Sequence, residues 1–317
     1  MSEESKNALL IYNPTSGRRR NRRFEEIEKA VGILKDAGIT VEIASTTAPG
    51  TARALAQFAV RQRRDLVIAC GGDGTVNEVV NGLALSEVPL ALLPAGTANI
   101  LAKELNVPWD IPSAARLIPG GTIRRIALGF ASPVEAINGN GDPAQGVLAG
   151  RYFLCVGGAG PDGAIVNGVD EIFKKNAGIL AYWAEGARQL VQYDFPAMRV
   201  RSGGQERIAT IVVIGRTAHY GGPFKITTGA SLFEDSFEML TNSATSRFQY
   251  LACLPALWMG KLRQIRGIEA WKDTEVICEP ADDRQVYAQV DGEPIGPLPL
   301  AFRIVPNALS MVIPARK

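Results

Sequence analysis

The first third of the chain alternates short apolar runs with segments whose apolar residues recur every three or four positions. Residues 8–12 form an apolar run that ends at Asn13-Pro14-Thr15-Ser16-Gly17, a cluster of turn formers. Phe24, Ile27, Val31 and Leu34 then recur at helical spacing as far as Gly38. The same reading predicts strands over 41–44, 66–70 and 90–93, and helices over 51–63, 76–85 and 100–105. Continuous apolar strands alternating with helices predict parallel β-α-β units with both sheet faces covered.

From about Ile123 the pattern changes. Strands are predicted over 152–156, 198–202, 208–214, 238–240, 286–290, 301–305 and 309–313, with Gly-, Pro- and Asn-rich turns between them. Many strands at short intervals predict an antiparallel sheet or sandwich. Helices are expected to interrupt it at 172–192 and 248–262, and 132–150 reads as a turn or a domain boundary. Tyr250, Leu251, Leu254, Leu257, Trp258 and Leu262 recur at helical intervals, which predicts a core-facing helix first and the wall of an acyl-chain crevice second.

Composition narrows the chemistry. A chain of 317 residues is long enough for about two domains. Its net charge of +2 lacks the strongly basic character of nucleic-acid binding. One histidine, His219, excludes a multi-histidine metal site, and any Ser-His-Asp triad would have to use it. It reads more simply as a hydrogen-bonded loop residue. Cys70, Cys155, Cys253 and Cys278 are scattered, which argues against a zinc site or a disulfide framework and fits a reducing cytosol. Cys70 reads as a small buried strand residue. The polar N-terminus does not resemble a signal peptide, and no apolar run reaches the length of a spanning helix. Arg18, Arg19, Arg20, Arg22 and Arg23 read first as a solvated face, and second as an attraction for phosphates or anionic headgroups.

The strongest chemical signal is Gly71-Gly72-Asp73-Gly74-Thr75, between a buried strand and a helix. Glycines let backbone N–H groups approach a ligand, and a helix N-terminus favours phosphate. Thr75 is placed to cap the helix or to donate to a phosphate oxygen, whereas Asp73 suits an anion site only if it handles a metal or a proton. The bland alternative is an ordinary strand-to-helix turn. A second loop, Pro94-Ala95-Gly96-Thr97-Ala98-Asn99, repeats the logic with donors at Gly96, Thr97 and Asn99. With the turn at 13–17, three loops are expected at the carboxyl edge of one sheet, where ligands of open α/β sheets bind. Asp291-Gly292-Glu293, taken alone, reads as a solvated hairpin turn.

The strings NPTSG at 13–17, GGDGTVNEVVNGL at 71–83 and PAGTANILAKEL at 94–105 resemble the diacylglycerol kinase catalytic-domain family, which includes bacterial soluble lipid kinases and is similar to sphingosine kinases. GGAGPDGAIV at 157–166, GGPFKITTGASLFEDSFEML at 221–240 and Asp291-Gly292-Glu293 continue the resemblance over nearly the whole chain. NAD kinases share the Gly-Gly-Asp-Gly-Thr element without the later series.

The resemblance implies an α/β N-terminal nucleotide-binding domain, Rossmann-like and of the NAD kinase/diacylglycerol kinase type, plus a C-terminal β-sandwich domain. The first would span 1–130, completed by 301–317, and the second, for the lipid substrate, 131–300. Nucleotide contacts carry over to Asn13, Thr46, Gly71, Gly72, Asp73, Gly74, Thr75, Val76, Asn77 and Thr97, beside Gly96 of the second loop. Thr46 is placed by its spacing to Gly50, with Thr47 as the alternative. A Mg²⁺ segment aligns with Leu232, Asp235 and Phe237, two of them through backbone carbonyls, and Asp162 links that network to Asp73. This chain has Ser236 where the family has Gly after the aspartate, and Ile100 where members often carry Asp. Glu293 matches the family's catalytic carboxylate, with Asp73 beside the phosphates.

The implied function is an ATP- and Mg²⁺-dependent lipid kinase, with diacylglycerol as leading acceptor. A sphingoid base, ceramide or another lipid alcohol is the alternative acceptor, and an NAD-kinase-like enzyme and a non-catalytic nucleotide-binding module are the alternative classes. The implied partners are ATP, a lipid and a transient membrane contact at the inner face from a cytoplasmic location. No nucleic acid is expected, and a homodimer stays open.

Overall fold

The structure, a computed structural model, describes residues 6–17, 20–134, 150–168, 193–220 and 224–315. The helix expected at 172–192 lies outside these residues. The chain divides into two compact units, Met1–Leu128 with Val305–Lys317, and Gly129–Ile304.

The first unit is built on parallel strands β1 (Lys6–Tyr12), β2 (Ile39–Ser45), β3 (Leu66–Gly71) and β4 (Leu90–Pro94), in the order β2-β1-β3-β4. Every residue of β3 and β4 is buried, as their unbroken apolar runs require. The intervening helices are α1 (Arg20–Asp36), α2 (Thr51–Arg61) and α3 (Asp73–Leu83). They turn Ile27, Ala30 and Leu34, Ala52, Ala56 and Ala59, and Val79, Val80 and Leu83 inward. Short helices α4 (Ile100–Glu104) and α5 (Ile111–Leu117) follow, then β5 (Thr122–Pro133). α3 begins three residues earlier than its apolar spacing predicts, because the turn is complete at Gly72 and Asp73 already has helical neighbours.

The second unit is antiparallel. Its strands are β6 (Arg151–Phe153), β7 (Val156–Ala159), β8 (Met198–Ser202), β9 (Gln205–Ala209) and β10 (Ile211–Gly215). β11 (His219–Tyr220), β12 (Phe224–Lys225), β13 (Phe237–Asn242), β14 (Ile268–Asp273) and β15 (Glu275–Pro280) follow. β16 (Tyr287–Val290) and β17 (Glu293–Pro297) follow, and β18 (Leu300–Ile313) starts in this unit and from Val305 belongs to the first, where Met311 pairs parallel with Leu90 of β4. One sheet runs β14-β13-β10-β7-β16-β17, while β8 pairs with β9 and with β15 in the other. The helices are α6 (Pro161–Gly168), α7 (Arg247–Ala252) and α8 (Leu254–Trp258). The core is aromatic at its centre: Phe153 stacks on Phe237 at 5.6 Å and meets Phe302 edge-on at 6.3 Å.

Four expectations change. The strand predicted over 152–156 is two strands, β6 and β7, in different sheets. The strand predicted over 208–214 is two strands, β9 and β10, in different sheets; at the corner the Thr210 hydroxyl donates to the Ala244 carbonyl at 2.5 Å. The runs at 301–305 and 309–313 are one 14-residue strand, because Asn307 takes a left-handed φ of 50° without ending it. The expected core helix at 248–262 is instead the pair α7 and α8, which buries only Ala256 and leaves Phe248 and Trp258 over 70% exposed.

Candidate functional site

Strand register gathers the predicted loops of the first unit. Tyr12 pairs with Ser45 and with Cys70, and Gly71 pairs with Pro94, so Asn13, Thr46, Gly72 and Ala95 each follow at the same carboxyl edge. Backbone bonds extend the ladder one residue further: Asn13 N donates to Cys70 O, Thr46 N to Tyr12 O and Ala95 N to Gly71 O, at 2.9–3.0 Å. The two glycine loops touch. A Cβ on Gly96 would lie 2.4 Å from the Cα of Gly72, so the approach admits no side chain.

Side chains tie the loops. Asn13 Nδ2 donates to Thr75 Oγ1 at 3.1 Å, and Gly72 N donates to Ser16 Oγ at 3.4 Å. Asp73 is not a bare charge beside an anion site. Its carboxylate accepts from Asn99 N at 2.9 Å and Ile100 N at 2.7 Å, at the start of α4. A small pocket here is lined by Gly72, Asp73, Val76, Pro94 and Asn99. Gly74 and Val76 lie in the first turn of α3, and Thr97 is exposed on the second loop.

Several predicted donors are already engaged. Asn99 is 5% exposed, and its side chain closes a ring with Gly96, accepting from Gly96 N and donating to Gly96 O. Asn77 is 2% exposed, and its side-chain oxygen accepts from Asn81 Nδ2 at 3.3 Å. Thr75 is buried and accepts from Asn13 instead of capping α3, whose cap is Gly72. Arg23 departs from the solvated face expected of its cluster: it is buried and donates to Ser16 O and Ala95 O, joining the first loop to the second. Glu78, inside the 71–83 string but given no role there, accepts from Gly50 N and Ala52 N and so fixes the chain just after Thr46 and Thr47. Burial pushes the Cys70 thiol up to about 12, consistent with an inert strand residue.

In the second unit, Glu293 opens β17, half-buried, opposite Val290. Asp291 and Gly292, at φ 49° and 80°, form the two-residue left-handed turn expected of Asp-Gly. The turn is more than a solvated hairpin. The Asp291 carboxylate accepts from the backbone N–H groups of Leu154, Cys155 and Val156 at 2.8–2.9 Å. Gln289 Oε1 accepts from Gly292 N at 2.8 Å, while its Nε2 donates to Asp162 Oδ2 at 2.6 Å. Asp162, half-buried near the start of α6, also bonds Tyr220; desolvation pushes its carboxyl above the usual carboxylate range. Asp162 therefore braces the hairpin that carries Glu293.

The predicted metal segment is arranged around a different cation. Arg216 is fully buried, and its guanidinium donates to Leu232 O at 3.1 Å, Glu234 O at 2.5 Å and Ser236 O at 3.2 Å. Asp235 is exposed, and Phe237 lies buried in β13. A divalent ion at the Leu232 carbonyl would stand against this guanidinium, like charge beside like charge in a buried setting. Among the described residues no three His, Cys, Asp or Glu side chains are grouped to hold a metal ion. Of the expected ligands, the Leu232 carbonyl is the one that Arg216 takes.

A family model described as the diacylglycerol kinase catalytic domain matches residues 7–131, and one described as the YegS C-terminal NAD kinase beta sandwich-like domain matches residues 156–313. A diacylglycerol kinase of Bacillus subtilis (strain 168) is 28% identical, over 98% of each chain. One of Staphylococcus aureus (strain MRSA252) is 29% identical over 94% of this chain and 89% of its own. Among solved structures, a diacylglycerol kinase from Bacillus anthracis str. Sterne superposes with a TM-score of 0.73 at 23% identity, covering 99% of this chain and 98% of that one.

Proposed function

The chain belongs to the diacylglycerol kinase catalytic-domain family, and on that premise we propose that it transfers the γ-phosphoryl group of ATP to the free hydroxyl of diacylglycerol, giving phosphatidic acid and ADP. One observation carries the reading most: the loops bearing Asn13, Gly72 and Gly96 meet at one sheet edge, with Gly72 against Gly96. Backbone so close leaves its outer face for a polyphosphate, which Asn13, Thr46, Gly71–Asn77, Gly96 and Thr97 would cradle chiefly through main-chain groups.

Glu293 would orient the acceptor hydroxyl and take its proton late, as the new P–O bond forms and the bond to the ADP oxygen breaks. Asp73 acts through the loops by holding Asn99 and Ile100, and Asp162 acts through Gln289 on the Glu293 hairpin. The magnesium ion that phosphoryl transfer calls for arrives with ATP as part of the substrate.

The test is transfer from labelled ATP to a panel of diacylglycerol, ceramide, a sphingoid base and NAD in mixed micelles. Label in phosphatidic acid supports the reading. Label in another lipid would change the acceptor, label in NAD would change the class, and ATP binding without any transfer would leave a nucleotide-binding module.

A further inference from the structure

Among the described residues of the second unit, the pair α7–α8 is the most apolar exposed feature. Within twelve residues Phe248, Leu251, Leu254, Trp258 and Met259 are exposed by 72%, 42%, 39%, 71% and 62%. These side chains are not on a loose segment. Ser246 caps α7 by accepting from Gln249 N, Tyr250 packs against Phe195 at 6.0 Å, and Trp258 meets Phe224 edge-on at 5.3 Å. The helices are thus pinned from beneath while their large apolar residues face outward.

The charge of the segment is one-sided. Between Ser246 and Ile268 the chain has Arg247, Lys261, Arg263 and Arg266 and no Asp or Glu. Arg263 reaches inward to pair with buried Glu238, while Arg247, Lys261 and Arg266 are exposed. Arg247 lies over the ring of Phe248, its guanidinium 5.3 Å from the centroid. Exposed apolar side chains in a segment whose exposed charges, Arg247, Lys261 and Arg266, are all cationic are the composition of a surface that seats in an anionic bilayer interface: the aromatics enter the headgroup boundary and the cations meet lipid phosphates. A second protein surface would need acidic residues opposite, whereas a second copy of this face would bring like charges together.

We propose that α7, α8 and the following turn through Arg266 form the surface by which this protein docks on anionic membranes. The proposal rests on the lipid-kinase reading only in its choice of partner. It places the protein on the bilayer independently of substrate occupancy.

The test is co-sedimentation of the purified full chain with vesicles of phosphatidylcholine and phosphatidylglycerol, without ATP and without diacylglycerol, beside phosphatidylcholine vesicles alone. The wild type should bind the anionic vesicles, and binding should weaken with salt. A Phe248→Ser, Trp258→Ser double variant and a Lys261→Glu, Arg266→Glu double variant, each keeping the wild-type melting temperature, should bind about tenfold more weakly or less. Wild-type failure to bind, or undiminished binding by both variants, would overturn the proposal. A dimer that the first variant dissociates would replace the membrane with a second copy. Because no step uses ATP or acceptor, vesicle binding that survives a failure of lipid phosphorylation would keep the surface and discard the function.

Discussion

Asp291 and Glu293 are two positions apart and hold different duties. Asp291 binds three backbone N–H groups of the β6–β7 connection, so Asp291→Ala should cost about 3 kcal/mol in urea denaturation. Glu293→Gln should leave the denaturation midpoint where it is. Asp162 shows the opposite balance. Its carboxyl is raised by burial, so the stability it contributes is present below the ordinary carboxylate value of 3.8 and is lost as pH rises through the folded value. Asp162→Asn, permanently neutral, should therefore lose less stability than the wild type between about pH 4 and about pH 7, measured by denaturation at both ends. The same variant should lower kcat, since the Asp162 carboxylate braces, through Gln289, the hairpin that carries Glu293. At this scale the sequence is legible in identity and not in partnership. Asp-Gly announces a turn, but the three groups that Asp291 binds are 135–137 positions away. Asn77 and Asn99 fit a donor role by type, and the fold turns both inward.

The loop from Leu232 to Phe237 shows how one side chain changes the meaning of an element. Its carbonyls converge on Arg216, so its order should not depend on added metal. Chelation of the nucleotide-free protein is expected to leave the melting temperature unchanged within about 1 °C, because no bound ion would be withdrawn. Arg216→Met, which leaves three carbonyls unsatisfied, should destabilise by about 3 kcal/mol or more. A large fall in melting temperature on chelation would restore a cation to the loop. Ser236 marks the spot as altered in the sequence, but an Arg at the end of an apolar strand has no periodic signature that would announce its burial. β3 and β4 were readable almost to the residue, because parallel strands buried on both faces must be apolar throughout, whereas β1 and the largely uncovered β2 each start two residues before their apolar runs. α7 and α8 misled for the converse reason: helical spacing reports a face, not what covers it.

Across the whole molecule, the α/β unit and the antiparallel unit follow from the two periodicities of the chain, 3.6 alternating with short apolar runs and then strand after strand. Strand corners were harder to see. Nothing in Ile208–Ile214 shows that Thr210 passes from one sheet to the other, since both halves are equally apolar. The loops of Asn13, Gly72 and Gly96 belong to the first unit, and Glu293 with its Asp162–Gln289 brace to the second. No helix among the described residues is long and apolar enough to cross a membrane. The most direct measurement is the rate of phosphatidic acid formation from diacylglycerol and magnesium-ATP in mixed micelles, for the wild type and for Glu293→Gln at equal folded concentration. The account predicts phosphatidic acid from the wild type and a rate lower by about 10²- to 10⁴-fold for the variant, with an unchanged melting temperature. No phosphatidic acid from the wild type, or equal rates from both proteins, would contradict it.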